Sequence, residues 1–466
     1  MSDNQTTSPA PLRVAVIGAG PAGFFTADQL VRHKDREVWV DLFERWPTPY
    51  GLVREGVAPD HQSIKGVTRV FERVLAHPRV RFFGNVCFGE HVTRADLVPL
   101  YDQVVYAVGA QTDRRMGIPG EDLAGSWPAT DFVRWYNGQP ECADLDFDLG
   151  VARAVVIGNG NVAVDVARIL LTDPEVLART DIADHALEAL RASSVREVVM
   201  VGRRGPAQAK FTNVELKELG ALAGVDVVVD PAEIEGAAVS DEESEDRRVV
   251  RNLEILADFA GRAPSGAPRR LVFRFLASPV ELSGTDGAVR AVRIERNRLV
   301  PDRDGSSRAE GTGASEWMEA GLVLRSVGYH GVPLPDVPFD EGPGVIPNDG
   351  GRMLDAPGGE EVPGEYVVGW IKRGPSGVIG TNKACAADTV AVMMEDAARK
   401  PESASKRAGP EEILRLLEER IPAYVTEADW ARLDAEELAR GQAAGRPRVK
   451  VVQVDEMLEL MGKGEQ

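Results

Sequence analysis

Residues 13–23, RVAVIGAGPAG, decide the fold of this chain. An apolar run leads directly into the pattern G-x-G-x-x-G, and a helical pattern of apolar residues follows. In a βαβ unit the first glycine makes a tight turn, the second exposes backbone to a pyrophosphate, and the third lets helix and strand pack closely. The segment therefore predicts a Rossmann-like dinucleotide-binding fold at the start of the chain.

An acidic residue completes this first pattern. The next apolar run, residues 38–43, ends at Glu44. A carboxylate at this place accepts hydrogen bonds from the ribose of an adenine dinucleotide. The first fold therefore suits the adenosine ribose of FAD or NAD. A glycine-rich turn without a ligand is the alternative, and it does not explain why strand, glycines, helix, strand and acid occur together.

The same pattern occurs again in the middle of the chain. Residues 154–157 form an apolar run, and the segment GNGNVA and a helical pattern follow it at 158–171. Ala163 stands where the third glycine is expected, which is an accepted variant of the pattern. A second dinucleotide-binding fold is therefore predicted here.

The second fold lacks the acidic residue and has two arginines instead. Its next strand, residues 197–201, is followed by Gly202, Arg203 and Arg204. Guanidinium groups bind a 2′-phosphate through charge-assisted, often bidentate hydrogen bonds, whereas a carboxylate would repel it. The pair predicts NADP(H) rather than NAD(H), although two surface arginines that serve only solubility are an alternative. Two such folds facing each other are what a hydride relay between nicotinamide and flavin needs.

A late segment, residues 366–383 with the sequence YVVGWIKRGPSGVIGTNK, combines a strand, a glycine-rich turn and a helix start. Such a segment lets a flat or anionic ligand lie against bare backbone, with helix N–H groups directed at it. We interpret it as the return of the chain from the second fold to the first. The predicted architecture is α/β with two Rossmann-like domains: a discontinuous first domain, 1–111 and 331–466, and a second domain, 112–330, inserted into it.

Composition sets limits on the function. A chain of 466 residues with 43% hydrophobic residues is expected to form a two-domain globular protein. The net charge of −19 argues against a nucleic-acid role, and no apolar run is long enough for a membrane span. The three cysteines lie far apart, which predicts neither a disulfide framework nor a metal site and suggests the reducing cytoplasm.

Several motifs, taken in order, resemble one protein family over nearly the whole chain. They are RVAVIGAGPAG, YGLVREGVAPDH, RFFGNV, IGNGNVAVDVAR, VGRRGP, FTNVELKELG and GWIKRGPSGVIGTNK. In these the chain resembles the adrenodoxin-reductase-type ferredoxin–NADP reductases, flavoproteins of bacteria and mitochondria. The resemblance implies FAD in the first domain, NADP(H) in the inserted one, and electrons exchanged with a separate ferredoxin-type iron–sulfur protein. We expect a monomer.

The resemblance also implies which residues contact the cofactors. For FAD these are Gly18, Ala19, Gly20, Pro21, Ala22, Gly23, Glu44, Leu52, Val86, Trp370, Gly377, Val378 and Ile379. For NADP(H) they are Arg114, Asn159, Gly160, Asn161, Val162, Arg203, Arg204, Glu215 and Gly377. His61 and Glu215 match family residues that lie beside the flavin and the nicotinamide.

Each of these last two residues also has an ordinary explanation. Thr212-x-x-Glu215 is a capping box, which would place Glu215 at a helix start without any chemistry. His61 follows Asp60, a candidate N-cap, and would then be an ordinary helix-start residue. Hydride transfer needs alignment more than a dedicated acid or base, so we expect a positioning role for His61.

A basic face is expected in spite of the acidic composition, because ferredoxins of this family are acidic. Its candidate residues are Arg69, Arg73, Arg203, Arg204, Lys210, Lys372 and Arg373. For Lys372 and Arg373, solvation or a place near the N1 side of the flavin are alternatives. Other functions remain alternatives at this point. A flavin-dependent monooxygenase, a protein like the small subunit of glutamate synthase, and a non-catalytic NADP(H)-binding sensor would all keep the two folds. The absence of a C-x-x-C pair disfavours disulfide-reductase chemistry.

Overall fold

The computed structural model describes residues 11–235, 237–302, 307–399 and 409–464. The first part of the chain alternates strands and helices, as its apolar periodicity predicts. Its elements are β1 (Leu12–Ile17), α1 (Pro21–Val31), β2 (Val38–Phe43), α2 (Leu52–Glu55), α3 (Gln62–Lys65), α4 (Thr68–Leu75), β3 (Val80–Phe83), α5 (Arg94–Leu100) and β4 (Gln103–Tyr106).

The middle of the chain forms a second α/β unit with an antiparallel extension. Its elements are β5 (Thr112–Asp113), β6 (Ser126–Pro128), α6 (Ala129–Asn137), β7 (Arg153–Ile157), α7 (Asn161–Leu171), α8 (Pro174–Leu177), α9 (Asp184–Arg191), β8 (Glu197–Val201), α10 (Asn213–Leu219), β9 (Val225–Val228), α11 (Pro231–Glu235), α12 (Asp241–Glu245), α13 (Arg247–Ala260), β10 (Arg269–Arg274), β11 (Ala277–Thr285), β12 (Ala288–Pro301), β13 (Ser307–Glu319), β14 (Leu322–Arg325) and β15 (Tyr329–His330).

The last part of the chain adds strands and then helices. Its elements are β16 (Asn348–Asp349), β17 (Arg352–Leu354), β18 (Glu361–Val367), α14 (Trp370–Arg373), α15 (Thr381–Arg399), α16 (Pro410–Arg420), α17 (Glu427–Ala444) and α18 (Val454–Met461). β16 and β17 pair antiparallel and form a hairpin around Gly350. None of the helices in the described ranges has the length and apolar character that a membrane crossing requires.

The first sheet joins the two ends of the chain. Its strand order is β16-β17-β18-β4-β1-β2-β3, so β18 pairs in parallel with β4. Both faces of this sheet are covered, because Val14 and Val16 of β1 belong to one buried cluster while Ala15 and Ile17 belong to another. A parallel strand buried on both faces reads as a continuous apolar run, which is why β1 was visible in the sequence.

The second sheet is formed from the middle of the chain alone. Its strand order is β6-β14-β7-β8-β10-β9, with parallel pairing, and β11, β12 and β13 form an antiparallel sheet beside it. The two passages between the units run side by side, since β5 pairs antiparallel with β15. This arrangement confirms the predicted α/β class with two dinucleotide-binding folds.

One local prediction was wrong. Asp60 was the candidate N-cap, but it caps no helix, and the structure has two short helices, α3 and α4, separated around Gly66. The N-cap of α3 is His61, and the Asp60 carboxylate forms an ion pair with Arg168 of α7 instead. Leaving a buried guanidinium without a charged partner costs more free energy than leaving an exposed helix start without a cap. The Asp60 carboxylate therefore points to Arg168.

Candidate cofactor-binding site

The turn between β1 and α1 requires glycine for steric reasons. Gly18 has φ +104°, and a Cβ on it would lie 2.7 Å from the carbonyl oxygen of Ala107 at the end of β4. A Cβ on Gly23 would lie 2.0 Å from the carbonyl oxygen of Gly18. The turn therefore packs directly on the sheet. The start of α1 follows it, and the backbone there is available to a ligand at Ala19, Gly20, Pro21 and Ala22.

Glu44 lies beside this turn. Its Oε2 accepts a hydrogen bond from the Ala19 N–H at 2.9 Å, and its Oε1 accepts one from the Trp46 N–H at 3.3 Å. Burial raises the pKa of this carboxyl above its usual value, and the Ala19 hydrogen bond opposes the shift. The residue is thus held at the tip of β2, where the fold places a ribose.

The return segment packs on the first turn. Gly369 has φ +80°, and a Cβ on it would lie 2.6 Å from the Cβ of Ala22. Trp370 follows at the start of α14, its Nε1 donating to the Ser376 carbonyl at 3.1 Å and its ring lying 5.2 Å from that of Tyr329. Tyr329 belongs to β15, so Trp370 joins the first turn to the passage between the units.

The turn before α15 is open to solvent on one side. Val378 is 56% exposed, and its N–H donates to Oγ1 of Thr381 at 3.1 Å. Gly377 has φ +81°, and a Cβ on it would lie 2.6 Å from the same hydroxyl. Ile379 packs against the core of the first unit. Of the other expected FAD contacts, Leu52 begins α2 and Val86 is fully buried.

The second glycine turn has the same construction. Gly158 has φ +143°, and a Cβ on it would lie 2.2 Å from the Ser326 carbonyl oxygen at the end of β14. Next to Gly160, the N-cap of α7, no described atom lies within 4 Å of an added Cβ. The Asn161 Oδ1 accepts a hydrogen bond from the Thr212 N–H at 2.9 Å. Bare backbone at the start of a helix is suited to a pyrophosphate.

The predicted arginines line a cavity together with a third. Arg203, Arg204, Ser307, Arg308 and Ala309 surround a space of about 230 Å³. The Nδ2 of Asn297 on β12 donates to the Arg203 carbonyl at 2.8 Å, which ties the arginine turn to the hairpin that carries Arg308. Sequence reasoning missed Arg308 because only the pairing of β12 with β13 brings it near, and no local motif marks it.

His61 and Glu215 are both found where the two units meet. The Nε2 of His61 lies 2.8 Å from Oε2 of Glu218, and its Nδ1 lies 3.7 Å from Oδ1 of Asp165. Glu215 forms the capping box, its Oε2 accepting from the Thr212 hydroxyl at 2.7 Å. Glu215 is therefore a capping residue of α10, and this role is compatible with a contact to the nicotinamide.

The carboxylates around His61 affect one another. Burial, with the charges of Glu215 and Glu218, raises the pKa of Asp165 well above its usual value. Arg168 lies among them, with its Nη2 2.5 Å from Oδ1 of Asp165. Burial lowers the pKa of Arg168 to about 10. This guanidinium is a residue that sequence reasoning did not single out, and it compensates the buried acids.

The other expected basic residues have different surroundings. Lys372 donates to the Gly350 carbonyl at 3.1 Å and to the Thr389 hydroxyl at 3.0 Å, so its ammonium group is held by its own unit. Arg114 is exposed near the passage between the units, where its backbone N–H donates to the Gly328 carbonyl at 2.9 Å. Arg69, Arg73 and Lys210 are exposed.

Buried polar atoms indicate that both sites fit a bound dinucleotide. Arg373 donates to Asn382 at 3.1 Å, but its buried Nε and Nη1 atoms find no hydrogen-bond partner among the described residues. At the second turn the buried Oδ1 of Asn159 is likewise without a partner in the described ranges. A buried polar atom of this kind needs an external partner, and both lie beside a glycine turn.

Comparison with known proteins agrees with this geometry. A protein-family model described as pyridine nucleotide-disulphide oxidoreductase matches residues 12–239. NADPH-ferredoxin reductase FprA of Mycobacterium tuberculosis (strain ATCC 25618 / H37Rv) is 51% identical, covering 97% of this chain and 99% of the relative. The mitochondrial NADPH:adrenodoxin oxidoreductase of Salvelinus fontinalis is 42% identical, covering 98% of this chain and 92% of the relative.

A solved structure is similar over the same extent. Mycobacterium tuberculosis FprA in complex with NADPH superposes with a TM-score of 0.92 at 51% identity, covering 97% of this chain and 100% of that one. The fold and the paired glycine turns define a flavoprotein oxidoreductase that binds FAD and NADP(H). Within that class, the chain belongs to the adrenodoxin-reductase-type family of ferredoxin–NADP reductases.

Proposed function

We propose that this chain is an NADPH-dependent ferredoxin reductase. The observation that carries the proposal is the difference between its two dinucleotide turns. A carboxylate, Glu44, stands beside the first turn, whereas three arginines, Arg203, Arg204 and Arg308, surround a cavity near the second. The first turn therefore accepts a ribose with free hydroxyls, and the second attracts a 2′-phosphate.

The sheets support the proposed domain assignment. Residues 1–111 and 331–466 would hold FAD, since the described strands of those ranges share the first sheet. Residues 112–330 would hold NADP(H), and the paired strands β5 and β15 mark the two passages. The proposed FAD contacts are Gly18, Ala19, Gly20, Pro21, Ala22, Gly23, Glu44, Leu52, Val86, Trp370, Gly377, Val378 and Ile379. The proposed NADP(H) contacts are Arg114, Asn159, Gly160, Asn161, Val162, Arg203, Arg204, Arg308, Glu215 and Gly377.

Bound FAD supplies the chemistry that accepts a hydride and gives up electrons singly. The protein supplies alignment. His61 is held between Glu218 and Asp165, and Glu215 is held by the cap of α10. Both side chains are therefore fixed in position where the two units meet. A positioning role fits them because hydride transfer depends on distance and orientation.

The proposed partner is a ferredoxin-type iron–sulfur protein with an acidic face. Arg69, Arg73, Arg203 and Lys210 are its exposed basic candidates, and Arg204, Lys372 and Arg373 are partly exposed ones. We also propose a cytoplasmic monomer. The location rests on the three cysteines, which form no disulfide in the described chain.

The proposal is tested with purified, flavin-loaded protein. Its absorption spectrum should show oxidised flavin, NADPH should bleach it, and cytochrome c reduction should accelerate when a candidate ferredoxin is added. Bleaching by NADPH followed by reoxidation with oxygen and a small substrate, but not with iron–sulfur proteins, would favour a monooxygenase. A preparation without flavin that still binds NADP(H) would favour a sensor.

A further inference from the structure

A large cleft lies far from both glycine turns. It has a volume of about 720 Å³ and is formed where β7, β8 and β10 begin, close to the start of β14. The cofactor turns instead follow the carboxyl ends of β7 and β8, where ligands of parallel sheets are usually bound. Arg196 of the cleft and Arg203 of the turn stand at opposite ends of β8, roughly 20 Å apart for an extended segment. The cleft is therefore separate from the proposed NADP(H) site.

Arginines dominate the charge of this cleft. Its charged lining residues are Arg153, Arg196, Arg269, Arg270, Arg290, Glu197 and Glu319. Five positive charges face two negative ones in a chain whose net charge is −19. Concentrating cations in a concave site raises the local potential and attracts anions.

One buried carboxylate organises two of these arginines. Glu197 is buried at the start of β8 and forms ion pairs with both Arg153 and Arg270. Arg153 also donates from Nη1 to the Glu319 carbonyl at 2.9 Å. The two guanidinium groups are thus held in place before any ligand arrives, which lowers the entropy cost of binding.

The remaining arginines keep most of their donors available. Arg196 donates from Nη1 to the Val195 carbonyl at 3.0 Å, and Arg269 donates from Nη1 to the Leu171 carbonyl at 2.7 Å. Arg290 is exposed, and its side chain forms no hydrogen bond or ion pair with the described residues. Since a guanidinium carries five N–H donors, the cleft can offer many charge-assisted hydrogen bonds.

We propose that this cleft binds a phosphate chain, in the form of inorganic tripolyphosphate or the triphosphate of a nucleotide. Arginines at the starts of four strands, β7, β8, β10 and β12, line the cleft, and linked phosphates offer them more acceptor oxygens than a single phosphate does. The volume lies within the range of roughly 300–1,000 Å³ that is common for small-ligand sites. The arginines are grouped within this one cleft, which favours a short multivalent anion.

The test uses isothermal titration calorimetry on the flavin-loaded protein with sodium tripolyphosphate and, in a second arm, ATP. Arg196→Ala with Arg290→Ala should weaken binding about tenfold or more, because each charge-assisted hydrogen bond is strong and neither residue forms an ion pair in the described chain. The matched control, Arg32→Ala with Arg415→Ala, removes two exposed arginines from the first unit and should leave binding unchanged.

Tighter binding of ATP than of tripolyphosphate would support a nucleotide as the source of the phosphate chain, and equal binding would support the phosphate chain alone. The double variant Arg203→Ala with Arg204→Ala should still bind tripolyphosphate. Loss of tripolyphosphate binding in that variant would overturn the proposal that the cleft is separate from the NADP(H) site. The proposal would also be overturned if sulfate bound equally well at matched ionic strength. Binding of decaglutamate without binding of tripolyphosphate would assign the cleft to an acidic protein instead.

Discussion

His61 and Glu218 connect the two units, with 2.8 Å between Nε2 of the histidine and Oε2 of the glutamate. His61 precedes α3 of the first unit, and Glu218 belongs to α10 of the second. The same helix α10 carries Glu215. The contact therefore fixes a proposed flavin neighbour relative to a proposed nicotinamide neighbour.

Removal of this contact should slow hydride transfer. Glu218→Ala leaves the His61 ring without a charged partner on α10, and we expect the rate of flavin reduction by NADPH to fall about three- to tenfold, with normal flavin content. Stopped-flow absorbance of the flavin measures this rate. Lys217→Ala on the exposed side of the same helix is the control and should leave the rate unchanged; equal slowing in both variants would indicate general loosening of α10.

The third arginine of the small cavity should contribute to cofactor choice. Arg308→Ala should raise the KM for NADPH about three- to tenfold and leave that for NADH unchanged, because only NADPH carries the 2′-phosphate. Steady-state kinetics with both nucleotides measure the ratio. Arg296→Ala removes another exposed arginine from the same hairpin and serves as control. Wild-type protein that does not prefer NADPH would count against the site as a whole, whereas unchanged kinetics of Arg308→Ala alone would count only against Arg308.

A side chain at Gly377 should impair NADPH oxidation more than flavin binding. Gly377→Leu puts a bulky group where both cofactors are proposed to approach, and φ +81° with Thr381 nearby adds strain of about 1–2 kcal/mol. Flavin content from absorbance and NADPH oxidation rates separate the effects. Gly380→Ala is the control, since no described atom lies within 4 Å of its added Cβ. Full NADPH oxidation by Gly377→Leu would contradict the placement.

Stability should respond to pH through Glu55. Burial, with the nearby charge of Glu44, raises the pKa of Glu55 from 4.5 to about 7. Ionisation of a carboxyl with a raised pKa destabilises the folded state, so the penalty is absent below about pH 4.5 and grows until about pH 7. Glu55→Gln should therefore gain free energy of unfolding over the wild type between pH 5 and pH 8, by at most about 3 kcal/mol.

Thermal unfolding of both proteins across this pH range measures the difference. Glu72→Gln, at an exposed position on α4, is the control and should show a constant offset. If the difference in unfolding free energy between Glu55→Gln and the wild type were also constant across this pH range, the Glu55 carboxyl would be ionised in the folded protein at pH 5.

Local sequence predicted what local physics decides. A Cβ on Gly23 would clash with the Gly18 carbonyl five residues earlier, and Gly18 and Gly158 have a positive φ in the turn itself, so a short motif reveals all three glycines. The capping box at Thr212 is equally local. The helix expected from Asp60 failed for the opposite reason, because the partner of that carboxylate, Arg168, lies far away in the sequence.

The sequence by itself determined the α/β class, the two dinucleotide turns, and the contrast between Glu44 and the Arg203–Arg204 pair. Strand periodicity, turn geometry and charge pattern depend on residues that are neighbours in the sequence, so they can be predicted without knowing the fold. Only the tertiary structure placed Arg308 beside that pair, placed Glu218 beside His61 and gathered the arginines of the large cleft. These contacts join residues from separate strands and helices, and sheet order and hairpin register decide them rather than any local pattern.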